Sequence, residues 1–268
     1  MSAIPLVSAV TKPLAPGVAG CLAGRRRRAS RPTCDTRAVQ DGSAAPGPAG
    51  AFDENTKAAT RRELFNGISS RYDVLNDALS LGQHRVWKRA AVQWARPPAG
   101  GAALDVCTGS GDMAFELARA VGPDGDVTAL DFAPGLLARA RGRDEAASPA
   151  AARRRAPIAW VEGDAMALPF PAASFDAATM GYGLRNVASP ACALAELRRV
   201  LRPGARAAVL DFNNPREAPV VDAIQSLALD RVVVPVATAS GLRDEYAYLR
   251  PSIEAFATAR RVARLGRG

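Results

Sequence analysis

The residues best equipped for chemistry gather in Thr108-Gly109-Ser110-Gly111-Asp112, with Asp131 twenty residues beyond Gly111. Two glycines among small polar residues suit a loop whose backbone closes on a ligand, and continue neither a strand nor a helix. A carboxylate at the distance of Asp131 is placed to accept hydrogen bonds from both hydroxyls of a ribose. The spacing Gly109-x-Gly111-x-x-Ala114 passes a loose dinucleotide fingerprint, so the glycines alone do not choose the nucleoside. Asp112 argues for a choice. It stands where a pyrophosphate would approach the start of a helix, and its charge would repel one. S-adenosylmethionine carries no phosphate, and its sulfonium and ammonium tolerate or welcome a carboxylate. An ordinary helix cap is the other reading of Asp112.

The surrounding pattern supplies the elements to position this loop. An apolar run from Ala102 ends in Asp105-Val106-Cys107, as a buried parallel strand does. After Asp112, the residues Met113, Phe115, Leu117, Ala118 and Val121 form a helical apolar face. Gly122-Pro123-Asp124-Gly125 turns the chain into a second strand, Val127-Thr128-Ala129-Leu130, closed by Asp131. The unit is Rossmann-like: strand, glycine loop, helix, strand, acid. A helix is expected from Pro134 to Arg143, and 144–157 reads as a solvated surface loop. Ile158 to Val161 is a third strand. Asp164 and Ala165 follow its end, where a carboxylate and a backbone N–H would meet the adenine.

Ser174 to Met180 is a fourth strand, and Gly181-Tyr182-Gly183-Leu184-Arg185-Asn186-Val187 leaves its C-terminal end. Reaction centres of open α/β sheets lie at that edge, so Tyr182, Arg185 and Asn186 are the polar groups expected to face substrate. For Arg185 the competing reading is a structural salt bridge to a strand-end carboxylate. A helix over Ala191 to Leu201 and a fifth strand over Ala205 to Phe212 complete the readable core. Residues 55–95 have helical stripes, expected to fold over the cofactor as a lid. They hold the only histidine, His84, which reads more readily as a surface or cap residue than as a base.

The net charge of +9 is unevenly spread. Residues 1–50 carry seven Lys/Arg against two Asp/Glu, and Arg260, Arg261, Arg264 and Arg267 account for the rest of the excess. Residues 51–259 are neutral, so no nucleic-acid surface is read from the charge. The first 50 residues are rich in Ala, Pro, Gly and Ser, contain Arg25 to Arg28, and have the composition of a disordered organelle transit peptide. Cys107 and Cys192 lie in predicted elements without a CxxC pair, and are expected to be reduced and structural; no metal site is expected.

Longer stretches resemble a known family. GDAMALPFPAASFDAATMGYGLRNV, LRRVLRPGARAAVLDF and the helical RYDVLNDALSLGQHRVWKR are similar to the ubiquinone/menaquinone-biosynthesis C-methyltransferases, from about Arg61 to Ile253. LSLGQHRVWK, TMGYGLRNV, LDFN and VVVPVAT resemble the plant chloroplast branch, which acts on 2-phytyl-1,4-naphthoquinone. The resemblance implies an α/β, class I S-adenosylmethionine-dependent methyltransferase with a Rossmann-like, mostly parallel sheet. It implies methyl transfer from S-adenosylmethionine, without a metal, to a ring carbon of a reduced prenylated naphthoquinone. It also implies a chloroplast location, stromal or peripheral to a membrane, and no nucleic-acid partner. The expected cofactor residues are Asp105, Gly109, Ser110, Gly111, Asp131, Phe132, Asp164, Ala165 and Gly181; relatives often have Ser at the last of these. The expected catalytic residues are Arg185, Asn186, Tyr182 and His84, with His84, Asp211 or water taking up the proton.

The expected organisation is a transit peptide (1–50), a helical lid (51–100), the core (101–250) and a divergent tail (251–268). The tail ARRVARLGRG does not match the family pattern, which implies loss of a C-terminal strand pair and an unpaired edge on the fifth strand. Val220 to Ala239 is a candidate tail groove or membrane contact. Alternatives left open are a truncated, inactive family member, a ubiquinone-pathway methyltransferase and an NAD(P)-dependent oxidoreductase.

Overall fold

Runs of small and β-branched residues, each broken by glycine, proline or a polar turn, form the strands of one sheet. The computed structural model describes residues 6–11 and 83–211. Its strands are β1 (Leu6–Thr11), β2 (Ala102–Val106), β3 (Asp126–Asp131), β4 (Ile158–Glu162), β5 (Phe175–Gly181) and β6 (Leu201–Asp211). Their spatial order is β1-β6-β5-β2-β3-β4. The pairs from β6 through β4 are all parallel, and β1 adds antiparallel to β6. The helices are α1 (Gln83–Ala95), α2 (Asp112–Val121), α3 (Pro134–Glu145), α4 (Pro149–Ala152) and α5 (Pro190–Val200), with a 3-10 turn at Leu184–Asn186.

Alternation along the strands decides which residues face which helices. Leu104, Val106, Leu130, Ala178, Met180, Ala207 and Val209 point to the face covered by Leu194, Leu197 and Val200 of α5. Ala103, Val127 and Ala129 point the other way, onto Ala114, Leu117 and Val121 of α2 and Val92 of α1. Ala177, Ala208 and Leu210 lie on that second face too, against Ala91 and Ala95 of α1. Asp105 and Thr179, register partners in β2 and β5, share it.

The chain runs from β2 outward to β4 and then returns to β5 on the other side of β2. That reversal makes the C-terminal ends of β2 and β5 the walls of a crevice, the usual ligand position in such sheets.

Several expectations change. The edge of β6 is not open: Leu6 to Thr11 pair with Asp211 to Arg206, so part of the segment expected to be disordered is a strand. The run LVSAVT is rich in β-branched and small residues, and an uncovered row of backbone donors and acceptors on β6 is a template for it. The segment 144–157 is not wholly solvated either. It contains α4, and Arg155 turns inward to pair with Asp144 and to lie 5.4 Å over the Phe115 ring. Cys107 is a free thiol, whereas Cys192 is disulfide-bonded, contrary to the reading that both are reduced. Pairing depends on approach in space, which the absence of a CxxC spacing does not address. The expected lid helices before Gln83, the apolar segment Val220 to Ala239 and the C-terminal tail lie outside the described residues.

Candidate active site

The loop between β2 and α2 holds its shape through left-handed backbone at Cys107 (φ 58°), Gly109 (φ 57°) and Gly111 (φ 91°). Glycine adopts that conformation without steric cost. A Cβ on Gly109 would meet nothing within 4 Å, so the loop encloses open space there. A Cβ on Gly111 would stand 2.7 Å from the Trp160 ring, so close packing against β4 requires a glycine.

Asp131 ends β3 and faces this loop. Its carboxylate accepts from the Gly109 N–H (2.8 Å) and the Ala133 N–H (3.0 Å). Burial pushes its proton affinity up, and the backbone donors at Ala133, Gly109 and Phe132 pull it down. An ionised carboxylate offers about four acceptor sites, so capacity remains for a ribose hydroxyl. Ser110 is buried, and its carbonyl accepts from Arg143 Nη1 at 2.7 Å. Phe132 is half-buried. Asp164 is exposed beyond β4, bonded to the Met166 N–H at 2.8 Å, with Ala165 buried beside it. The loop's open space and Asp131's acceptor capacity fit a nucleoside.

Asp105 lies beneath the loop and is 1% exposed. Its two oxygens accept from the hydroxyls of Thr108 (2.6 Å) and Thr179 (2.7 Å). Burial nonetheless pushes its pKa up to about 6, because two neutral donors do not replace the water lost. The sequence did not identify either threonine as a partner of Asp105. Thr179 is 74 positions away and reaches Asp105 only through the β2–β5 register.

Asp112 is neither a side-chain cap nor an open carboxylate. It accepts from Lys88 Nζ of α1 at 2.7 Å, and Arg143 Nη2 of α3 lies 2.8 Å away. Burial raises its pKa, but the Lys88 and Arg143 contacts prevail and hold it near 2. Two cations flank one anion, so repulsion of a pyrophosphate by Asp112 does not survive. Sequence alone could not locate Lys88 and Arg143, which come from two other helices.

The turn after β5 forms the opposite wall. Tyr182 has left-handed backbone (φ 56°), and its N–H donates to the Leu210 carbonyl at 2.6 Å. Its own carbonyl accepts from Arg185 Nη1 (2.9 Å) and Asn186 Nδ2 (3.1 Å). Arg185 Nη1 also donates to Asp211 Oδ1 at 2.6 Å, and the Arg185 N–H to Asp211 Oδ2 at 3.1 Å. The salt-bridge reading of Arg185 is therefore realised, with a carboxylate at the end of β6. Asp211, considered as a proton acceptor, is instead the anchor of this turn. His84, expected on the surface or at a cap, is buried on the inward side of α1. The residue sits on the same helical face as Lys88, Ala91 and Ala95, which explains the difference.

The two walls touch. A Cβ on Gly183 would come within 2.4 Å of the Cys107 Cβ, and one on Gly181 within 2.5 Å of Met113 Sδ. Met113 fills the space beside Gly181. Burial pushes the Cys107 thiol well above its ordinary range, which leaves it a packing residue and not a nucleophile. Among the described residues, no group of three or more His, Cys, Asp or Glu side chains is arranged to hold a metal ion.

A parallel sheet with a glycine loop and a strand-end carboxylate at its switch point is a Rossmann-like nucleoside-binding arrangement, and the family match below makes it a class I methyltransferase fold. The chain belongs to the ubiE/COQ5 methyltransferase family, whose profile matches residues 53–267. It is an enzyme, and S-adenosylmethionine is its methyl donor. The match runs beyond Ile253 into the tail expected to diverge. Over 195 residues the chain is 52% identical to a 2-phytyl-1,4-naphthoquinone methyltransferase of Nostoc punctiforme, covering 73% of this chain and 82% of that one. It is 48% identical to the chloroplastic 2-phytyl-1,4-beta-naphthoquinone methyltransferase of Arabidopsis thaliana over 198 residues, 74% of each chain. A Synechocystis enzyme of the same description is 47% identical over 197 residues, 74% of this chain and 80% of its own.

Proposed function

We propose that this enzyme methylates a ring carbon of reduced 2-phytyl-1,4-naphthoquinone in phylloquinone synthesis, within a plastid. The observation that carries the reading is the contact of Gly183 with Cys107, which sets the polar turn after β5 directly against the nucleoside loop. A bound nucleoside would thus have Tyr182, Arg185 and Asn186 as neighbours. The names of the relatives supply the substrate class.

The nucleoside would be held by Asp131 at the ribose, Asp164 and Ala165 at the adenine, and the backbone of Gly109 to Gly111, with Asp105 beneath. Phe132 and Gly181 would complete its surroundings. When bound, S-adenosylmethionine supplies an electrophilic methyl group on a sulfonium. The quinol hydroxyl must lose its proton for the ring carbon to become nucleophilic, and that carbon later sheds its own proton to restore the ring. Arg185 would stabilise the phenolate, held in place by Asp211, while Asn186 and Tyr182 orient the ring. Holding ring and methyl about 3–3.5 Å apart accounts for much of any rate gain. Water or His84 is the proposed proton acceptor.

The test is incubation of the purified chain with methyl-labelled S-adenosylmethionine and chemically reduced 2-phytyl-1,4-naphthoquinone, followed by mass spectrometry. Label on the naphthoquinol ring is expected. Label only on a prenylated benzoquinol would assign the ubiquinone pathway. Cofactor binding without transfer to either quinol would refute the catalytic reading.

A further inference from the structure

Helix α1 contains no acidic residue, and its two faces differ sharply. The inward face buries His84, Lys88, Ala91, Val92 and Ala95. The outward face carries Val86, 62% exposed, and Trp94, 52% exposed, the exposed large hydrophobic side chains among the described residues. With Ala90 between them they are spaced i, i+4, i+8, which places them in one slanting row. Arg85 and Arg89, one position earlier in successive turns, form a parallel basic row. Both are exposed, and Arg89 remains 63% exposed despite its 3.4 Å approach to Glu116.

A row of apolar side chains beside a row of arginines, with an indole at one end, is the pattern of a helix lying in a membrane interface. The arginines select the sign of the surface: an anionic bilayer complements them, and a neutral one does not. No described helix is long and apolar enough to cross a membrane, so contact through this helix would be peripheral.

The position of α1 links this face to the site. Lys88 ties the helix to Asp112 at the start of α2, where the nucleoside loop ends. Trp87 packs on the same small cluster as Tyr182, between α1 and the ends of β5 and β6. The apolar row therefore lies on the helix that also packs, through Trp87, against the turn proposed to face the quinol ring.

We propose that the outward face of α1, Val86, Ala90 and Trp94 flanked by Arg85 and Arg89, docks the enzyme on an anionic membrane surface and brings the site mouth to a membrane-dissolved substrate. The role in substrate delivery rests on the naphthoquinol reading above; the docking itself does not.

The test uses the full chain and two vesicle preparations, pure phosphatidylcholine and equal parts phosphatidylcholine and phosphatidylglycerol. The wild type should co-sediment with the anionic vesicles, release with added salt, and show a blue-shifted indole emission that Trp94→Phe removes. Arg85→Glu with Arg89→Glu, or Val86→Ser with Trp94→Ser, should weaken that binding about tenfold or more. Both variants should keep wild-type melting and cofactor binding. They should retain turnover on a short-tailed naphthoquinol in solution and lose it on the phytyl substrate in vesicles. Equal vesicle binding by wild type and variants would overturn the proposal. So would equal binding to both vesicle types, or a concentration-dependent dimer that the variants abolish without any vesicle binding. If neither naphthoquinol is methylated, the functional reading fails while the vesicle results still decide the docking.

Discussion

Asp105→Asn should stabilise the unliganded protein at neutral and alkaline pH, although it alters a buried, doubly hydrogen-bonded residue. Asp105 is held at a pKa of about 6 against an ordinary 3.8. A carboxyl whose pKa is raised on folding adds stability that is full below the unfolded value and is lost as pH rises through the folded value. The loss therefore spans roughly pH 4 to 6 and is complete by pH 8. At about 1.4 kcal/mol per tenfold change in proton affinity, the difference between 3.8 and about 6 corresponds to about 3 kcal/mol. Asparagine removes the charge but keeps the shape. Its amide oxygen accepts from one threonine, and its NH2 donates to the other, whose hydroxyl rotates to accept. Imperfect geometry at the second bond will cost part of the gain, so an increase of about 1–3 kcal/mol is expected at pH 8. Urea unfolding of wild type and variant at pH 8 and near pH 4 is the assay; the advantage should shrink toward zero at the lower pH. The same variant should bind S-adenosylmethionine more weakly, because the carboxylate beneath the loop is lost. A variant less stable than wild type at pH 8, or an unchanged stability difference across the range, would refute the reasoning.

Three further contacts test the site, two of them through paired substitutions. Arg185→Ala should lower turnover with little change in cofactor affinity, and should cost about 3 kcal/mol by stranding the buried Asp211. Adding Asp211→Asn should restore most of that stability but not the turnover; recovery of both in the double variant would make Arg185 purely structural. Gly183→Ala should destabilise by about 1–3 kcal/mol, since its methyl would overlap Cys107. Melting experiments should show Cys107→Gly relieving that loss, because it removes the obstructing side chain from a left-handed position. Asp112→Asn should lose about 2 kcal/mol at pH 7, from the difference between 3.8 and about 2. Because this pKa is depressed on folding, the contribution is present above the unfolded value and lost as pH falls through about 2. Denaturant titrations that show no loss at pH 7 would remove the Lys88–Asp112–Arg143 cluster from the list of stabilising contacts.

What the sequence determined by itself is local. The unit from Ala102 to Asp131 was legible because strand alternation, a glycine loop, a helical stripe and a strand-end acid are each written within a few residues of one another. The positions of Asp131, Asp164 and the turn from Gly181 to Val187 follow from strand ends, and strand ends are marked by turn residues. Only the tertiary structure decided the partners. Thr179 meets Asp105 through sheet register, Asp211 meets Arg185 across two adjacent strands, and Lys88 and Arg143 meet Asp112 from separate helices. The pairing of Leu6–Thr11 with β6 is the extreme case, joining positions nearly 200 residues apart through backbone groups that carry no sequence signature. Charge type and spacing show that a residue is able to form a contact. Which contact it forms, and so whether Asp112 repels a ligand or binds two cations, depends on side chains that only the folded sheet and its helices bring together.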